Sequence, residues 1–146
     1  MINQKIIINT DGGARGNPGP SSIGGVINIV GHEKSSFSES IGRKTNNQAE
    51  YEAVIFALKK VKKMIGSKKS LESELEVKMD SELIVKQLNR EYKVKEKEMQ
   101  SLFMEVWNLS MDFKKVNFVH IRREENSEAD LLVNQALDKE ESKLRI

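Results

Sequence analysis

The sequence predicts an α/β domain: one mixed sheet of five strands, the first three antiparallel and the fourth and fifth parallel to the first, with helices on both faces. Two observations lead there. Three β-rich runs follow one another closely at the start of the chain, and beyond them apolar residues recur at helical spacing with two further β-rich runs in between. Strands joined by short links pair antiparallel, whereas strands reached through a helix join by crossovers and run parallel. A chain of 146 residues, 38% apolar and 32% charged, suits a single domain over 1–146 with a real core. That core is expected over about 5–137, followed by a short charged tail, "DKEESKLRI", read as a helix end that frays.

Each element follows from a local pattern. Lys5–Thr10, with three successive isoleucines, reads as a buried strand that ends just before Asp11. A loop with four glycines in residues 12–19 follows, and Ile23–Val30 is the second strand. Glu33-Lys34 turns the chain into a weakly alternating third strand, Ser35–Ile41. Tyr51, Val54, Ile55, Leu58, Val61 and Ile65 then recur at helical spacing until Gly66 stops the pattern. Leu75–Met79 alternates apolar with charged residues and is the fourth strand. Leu83, Ile84, Gln87 and Leu88 mark a short helix, and Met99 through Phe113 a longer one. Val116–Ile121 is the last strand; Ala129, Leu132, Val133 and Ala136 mark the last helix.

Composition narrows the function classes. There is no cysteine, which removes disulfide frameworks and thiolate chemistry and fits an intracellular, cytoplasmic protein. No apolar run approaches a membrane span or a secretory leader, so no membrane partner is expected. The net charge of +2 names no partner, but its distribution is uneven: residues 59–69 carry six lysines and no acid. Lys59, Lys60, Lys62 and Lys63 read first as a solvated helix end that suits the helix dipole. The other reading is a patch that contacts phosphates. Trp107, the single tryptophan, falls in a helical pattern and reads as flanking the core rather than as a platform for bases.

Four acids sit at element boundaries. Asp11 ends the first strand, Glu50 opens the first long helix, Asp80 follows the fourth strand, and Asp130 opens the last helix. Each has a local structural explanation. Asp11 suits a turn before Gly12-Gly13, Asp80 suits an N-cap, and Glu50 and Asp130 lie three residues after Asn47 and Ser127, the spacing of a capping box. Taken together they suggest more. Strand ends and helix starts of such a sheet share one rim, where ligands collect. Neighbouring first and fourth strands would set Asp11 and Asp80 about 4.8 Å apart. Carboxylates that close raise each other's pKa unless a cation lies among them. With no cysteine and two histidines in the chain, that cation is expected to be hard and oxygen-loving, with Mg²⁺ the default.

Four segments, "TDGGARGNPGP", "TNNQAEYEAVIFAL", "MDSELIVKQLN" and "REENSEADLLVNQAL", resemble in order the four signature segments of type 1 ribonuclease H. The likeness spans about Lys5 to Leu137, and it is to the compact forms without a basic handle, because "NREYKVKEKEMQ" is too short to hold one. The resemblance implies a ribonuclease H-like five-stranded mixed sheet, as the element order does. It implies that Asp11, Glu50, Asp80 and Asp130 form a metal site for two Mg²⁺ ions, with Mn²⁺ a possible substitute and Asp130 the more loosely placed member. Asn17, Thr45, Asn46 and Asn47 match positions that touch nucleic acid near the cut. Gly12 and Gly13 would let backbone approach a groove in which 2′-hydroxyls tell RNA from DNA. His120 lies ten residues before Asp130, where many members carry a histidine assigned to proton transfer or product release. The segment lacks the glycine-rich loop that usually holds it, so His120 also reads as an ordinary residue of the last strand.

The activity so implied is hydrolysis of the RNA strand of an RNA–DNA hybrid by a monomeric endonuclease, leaving 5′-phosphate and 3′-hydroxyl ends. Two other readings stand beside it. One is a nuclease of the same fold that also cuts double-stranded RNA. The other is a non-catalytic hybrid-binding module, against which the four acids speak, since carboxylates repel phosphate when no metal is bound.

Overall fold

A computed structural model describes residues 4–144. The strands are β1 (Gln4–Ala14), β2 (Gly19–Ile29), β3 (Ser35–Lys44), β4 (Ser73–Met79) and β5 (Lys115–His120). The helices are α1 (Asn46–Leu71), α2 (Glu82–Leu88), α3 (Lys97–Ser110) and α4 (Ser127–Leu144), the last entered through a 3₁₀ turn at Arg123–Asn126. The sheet order is β3-β2-β1-β4-β5. β2 pairs antiparallel with β1 and with β3, and β4 pairs parallel with β1 and with β5, as the connections require. Among the described residues no helix is long and apolar enough to cross a membrane.

The two faces of the sheet are built differently. On one, Ile6, Ile8, Ile23, Ile27, Leu75, Val77 and Met79 appear at every second position and bury against Tyr51, Val54, Leu58 and Val61 of α1 and Met99 and Val106 of α3. The other face is smaller and more polar. A Cβ on Gly24 would lie 2.7 Å from the Ala129 carbonyl oxygen and 2.8 Å from the Val133 nitrogen, so only glycine lets α4 lie this close. The Ser22 hydroxyl donates to the Val133 carbonyl at 2.6 Å, and the Ser38 hydroxyl donates to that of Leu132. These bonds hold the α4 backbone directly on the sheet.

Two sequence expectations change. β1 does not end at Thr10: its ladder with β2 runs on, pairing Asp11 with Gly24, Gly12 with Ile23, Gly13 with Ser22 and Ala14 with Ser21. Glycine and serine have weak strand propensity, and long-range pairing overrides it here. The loop shrinks to residues 15–18, closed by the Arg15 N–H donating to the Pro20 carbonyl at 2.9 Å. At Gly66 (φ 85°) the helix breaks as expected, but the chain winds on to Leu71, and the Ser70 hydroxyl donates to the Gly66 carbonyl at 2.7 Å. The charged end of the chain is helical as expected, as the last part of α4 through Leu144; Arg145 and Ile146 lie outside the described residues.

Candidate active site

The site forms where β1 outruns β4. Their parallel ladder pairs Gln4 with Ser73 and ends with Asn9 opposite Lys78. Two residues on, the same register sets Asp11 beside Asp80, and the pleat aims both side chains to one side. α1 brings Glu50 from its second turn. One carboxylate oxygen from each of Asp11, Glu50 and Asp80 lies within 4.8 Å of the other two. Asp130 stands outside this trio but lines the same cleft of about 410 Å³, together with Asn46, Ser81, Arg123 and Asn134.

The local explanations for these acids fail one by one. The cap of α1 is Thr45, not Asn47: its hydroxyl accepts from the Gln48 N–H at 3.1 Å, and the Gln48 side chain accepts from the Thr45 N–H at 2.9 Å. Glu50 therefore has no capping duty. The cap of α2 is Ser81, whose hydroxyl accepts from the Ile84 N–H at 3.3 Å, so Asp80 has none either. Ser127 continues helically from the 3₁₀ turn and does not open a capping box for Asp130. Asp11 lies inside a paired strand, where one of its oxygens accepts from the Gly12 N–H at 3.0 Å.

The electrostatics are those of unneutralised carboxylates. Burial, then the charges of Asp80, Glu50 and Asp130, push Asp11 up to about 8. Burial lifts Glu50 to about 7, with the Ser81 hydroxyl opposing and the Asp80 charge adding. Asp80 is also raised, mainly by burial, while the Arg123 guanidinium holds it back. One oxygen of Glu50 is buried with no hydrogen-bond partner among the described residues. A buried carboxylate oxygen without a donor is costly, and the missing partner it calls for is positive. Three oxygen donors of this kind fit a hard divalent cation.

The other sequence candidates divide. Asn17, Thr45 and Asn46 cluster, but largely to hold one another: the Asn17 side chain accepts from the Asn46 N–H at 3.0 Å, and the Asn46 side chain accepts from the Ala14 N–H at 2.8 Å. Asn47 follows them, half-buried, on the first turn of α1. Gly13 lines the cleft as expected. Gly12 also lines it, but the space beside it is filled by α1, not left for a ligand: a Cβ there would lie 2.2 Å from the Ala49 carbonyl oxygen. His120 does not line the cleft, though its charge reaches Asp80 and works against the rise there. The register sets it beside Met79, whose buried side chain lies on the α1 face, opposite to the face that Asp80 takes.

Arg123 and Asn126 were not singled out from the sequence. Arg123 lines the cleft, and its guanidinium acts on Asp80. Asn126 is buried, donates to the Thr10 carbonyl at 2.9 Å and accepts from the Asn9 side chain at 3.1 Å, pinning the start of α4 next to Asp11. Both lie in "IRREENSEAD", but nothing local separates them from their polar neighbours.

Comparison with known proteins agrees with this geometry. Residues 9–136 match the family model described as reverse transcriptase-like, which sets the class of domain. The chain is 36% identical to a bifunctional protein of Mycobacterium tuberculosis over 92% of its own length and 36% of the relative's. It is 34% identical to ribonuclease HI of Halobacterium salinarum over 88% of its length and 62% of that protein's. The chain thus spans about a third of the mycobacterial relative and under two thirds of the halobacterial one. Among solved structures, a ribonuclease H1 isolated from compost superimposes with a TM-score of 0.85 at 48% identity, covering 94% of this chain and 98% of that one. The same compost enzyme in complex with an RNA/DNA hybrid gives a TM-score of 0.82 at 49% identity, covering 92% and 97%. The chain belongs to the type 1 ribonuclease H family, and its α2–α3 connection, residues 89–96, has no room for a basic handle.

Proposed function

We propose that this chain is an endoribonuclease that hydrolyses the RNA strand of RNA–DNA hybrids, leaving 5′-phosphate and 3′-hydroxyl ends. The observation that carries this is the trio of Asp11, Glu50 and Asp80, close together, raised in pKa, and with a buried Glu50 oxygen that lacks a partner among the described residues. A hybrid as substrate is supported by the compost relative, whose structure holds one.

Asp11, Glu50 and Asp80 would hold Mg²⁺, or Mn²⁺ in its place, and Asp130 would serve a second ion from the open side of the cleft. Bound there, such ions supply Lewis acidity at the phosphate and lower the pKa of an attacking water. The protein does the rest. Its acids are held by β1, β4, α1 and α4, so little rearrangement is needed to accept a cation. Arg123 offers the cleft a positive charge that favours a phosphate over the surrounding carboxylates. The rim of Gly13, Asn17 and the Thr45–Asn47 segment exposes backbone and amide groups suited to sugar and phosphate, which read duplex form rather than base sequence.

The test is cleavage of an end-labelled RNA–DNA hybrid in Mg²⁺, with duplex RNA and duplex DNA alongside and Asp80→Asn as control. Cutting of the hybrid's RNA strand alone, ending in 3′-hydroxyl and lost in Asp80→Asn, is expected. A hybrid that is bound but stays whole in both Mg²⁺ and Mn²⁺ would overturn the proposal.

A further inference from the structure

The last turns of α4 grip the turn between β1 and β2. Arg15, the first residue of that turn, reaches back across the rim. Its guanidinium contacts Asp138 at 2.7 Å and Glu141 at 2.8 Å, and donates to the Asn134 side chain at 3.3 Å. The fork of donors on arginine is shaped for this kind of multiple capture. On its other side the turn is held by α1, through the Asn17 side chain accepting from the Asn46 N–H. Ala14, just before Arg15, is tied to Asn46 as well. Residues 15–18 are therefore strapped between two helices, and Arg15 and Asn134 line the same cleft as the acids.

We propose that Arg15 is a positioning residue for nucleic-acid binding: clamped by Asp138, Glu141 and Asn134, it fixes the turn so that Asn17 and the start of α1 present one preset rim to the hybrid. This rests on the hybrid-cleaving reading above. Two half-exposed ion pairs add little to global stability, so the consequence of the clamp lies in the placement of the turn. A turn already ordered does not lose its freedom when substrate binds, and affinity gains accordingly. The acids also occupy the guanidinium, which keeps Arg15 from pairing with Asp11 or Asp130 in the same cleft. The charged end of α4 thus serves the binding rim.

The test compares Arg15→Ala, the double variant Asp138→Asn/Glu141→Gln, and the charge exchange Arg15→Glu/Glu141→Arg with the unaltered chain. Steady-state cleavage is measured, together with hybrid binding in an Asp80→Asn background and hydrogen exchange of residues 15–19 in the free protein. In both Arg15→Ala and the acid double variant, KM should rise about fivefold, equivalent to about 1 kcal/mol, while kcat at saturating hybrid holds. Exchange of residues 15–19 should quicken, and the charge exchange should recover part of the loss. Unchanged KM and unchanged exchange would overturn the clamp. So would a KM raised in Arg15→Ala but not in the acid double variant, which would make Arg15 a direct phosphate contact. The exchange readout needs no activity, so a chain that cuts no hybrid would sink the proposed function and still leave the clamp open to disproof.

Discussion

The two ends of α1 carry charge of opposite sign in opposite circumstances. At its start Glu50 is buried beside Asp11 and Asp80, with one oxygen lacking a donor among the described residues. About 18 Å further along the helix axis lies the lysine run. There Lys62 pairs with Asp112 at 3.2 Å and Lys59 lies 3.9 Å from Glu105, both acids on or beside α3, with every partner at least a third exposed. In the sequence the lysines are the denser charge and the acids are scattered. In the fold the lysines are solvated and two of them, Lys59 and Lys62, lie beside acids, whereas Asp11, Glu50 and Asp80 are gathered and raised in pKa. Charge marks a site when burial and like neighbours make it costly, because only a bound partner repays that cost. Density along the chain carries no such information.

The comparison can be broken most directly at Asp11. Asp11→Asn should lower hybrid cleavage by at least about 100-fold, since it removes a ligand and a charge together. The same change should raise the stability of the metal-free protein at pH 8, read by urea unfolding. Lost activity with no gain in stability would mean that the cluster is not strained.

The pH dependence sharpens the point. Asp11 rises from 3.8 to about 8 and Glu50 from 4.5 to about 7. An acid whose pKa is raised by folding binds its proton more tightly in the folded chain. Unfolding then releases protons, and stability falls as pH climbs. Metal-free protein should be most favoured by these groups below about pH 4, lose a few kcal/mol through pH 4–8, and level off above. Saturating Mg²⁺ should flatten the fall, because the cation takes the place of the protons. A metal-free curve without this slope would contradict the cluster.

Gly12→Ala tests the packing that brings Glu50 to the rim. With backbone at 2.2 Å from the new Cβ, α1 must shift, at a cost of about 1–3 kcal/mol in urea unfolding and with reduced Mg²⁺ affinity. The smallest effect is expected at the other end of α1. Lys59→Ala and Lys62→Ala should each change stability by less than about 1 kcal/mol and leave the salt dependence of hybrid binding alone. A flattened salt dependence would restore the lysine run as a phosphate patch.

Much of this site was legible in the sequence. Strand and helix order follow from apolar periodicity, which is local, and an α/β rim follows from that order. The four acids stood out because they lie at element boundaries. Sequence spacing could not tell whether they cap helices. Asn47 with Glu50 and Ser127 with Asp130 have capping-box spacing, yet Thr45 with Gln48 forms the box on α1, and Ser127 is already helical. Nor could it separate His120 from Arg123, which are three residues apart: Arg123 lines the cleft, whereas His120 pairs beside Met79 and acts on Asp80 only through its charge.

By itself, then, the sequence determined the sheet, the order of its elements, and the acids that end up at one rim, because periodicity and chain punctuation act over a few residues. Only the tertiary structure decided that β1 runs through its glycines, that Gly12 admits α1, that Asp11 and Asp80 fall into register, and that α4 stays helical through Leu144 to meet Arg15. Each of these is a contact between residues far apart in the chain. Its free energy depends on what the fold brings opposite, which no local pattern records.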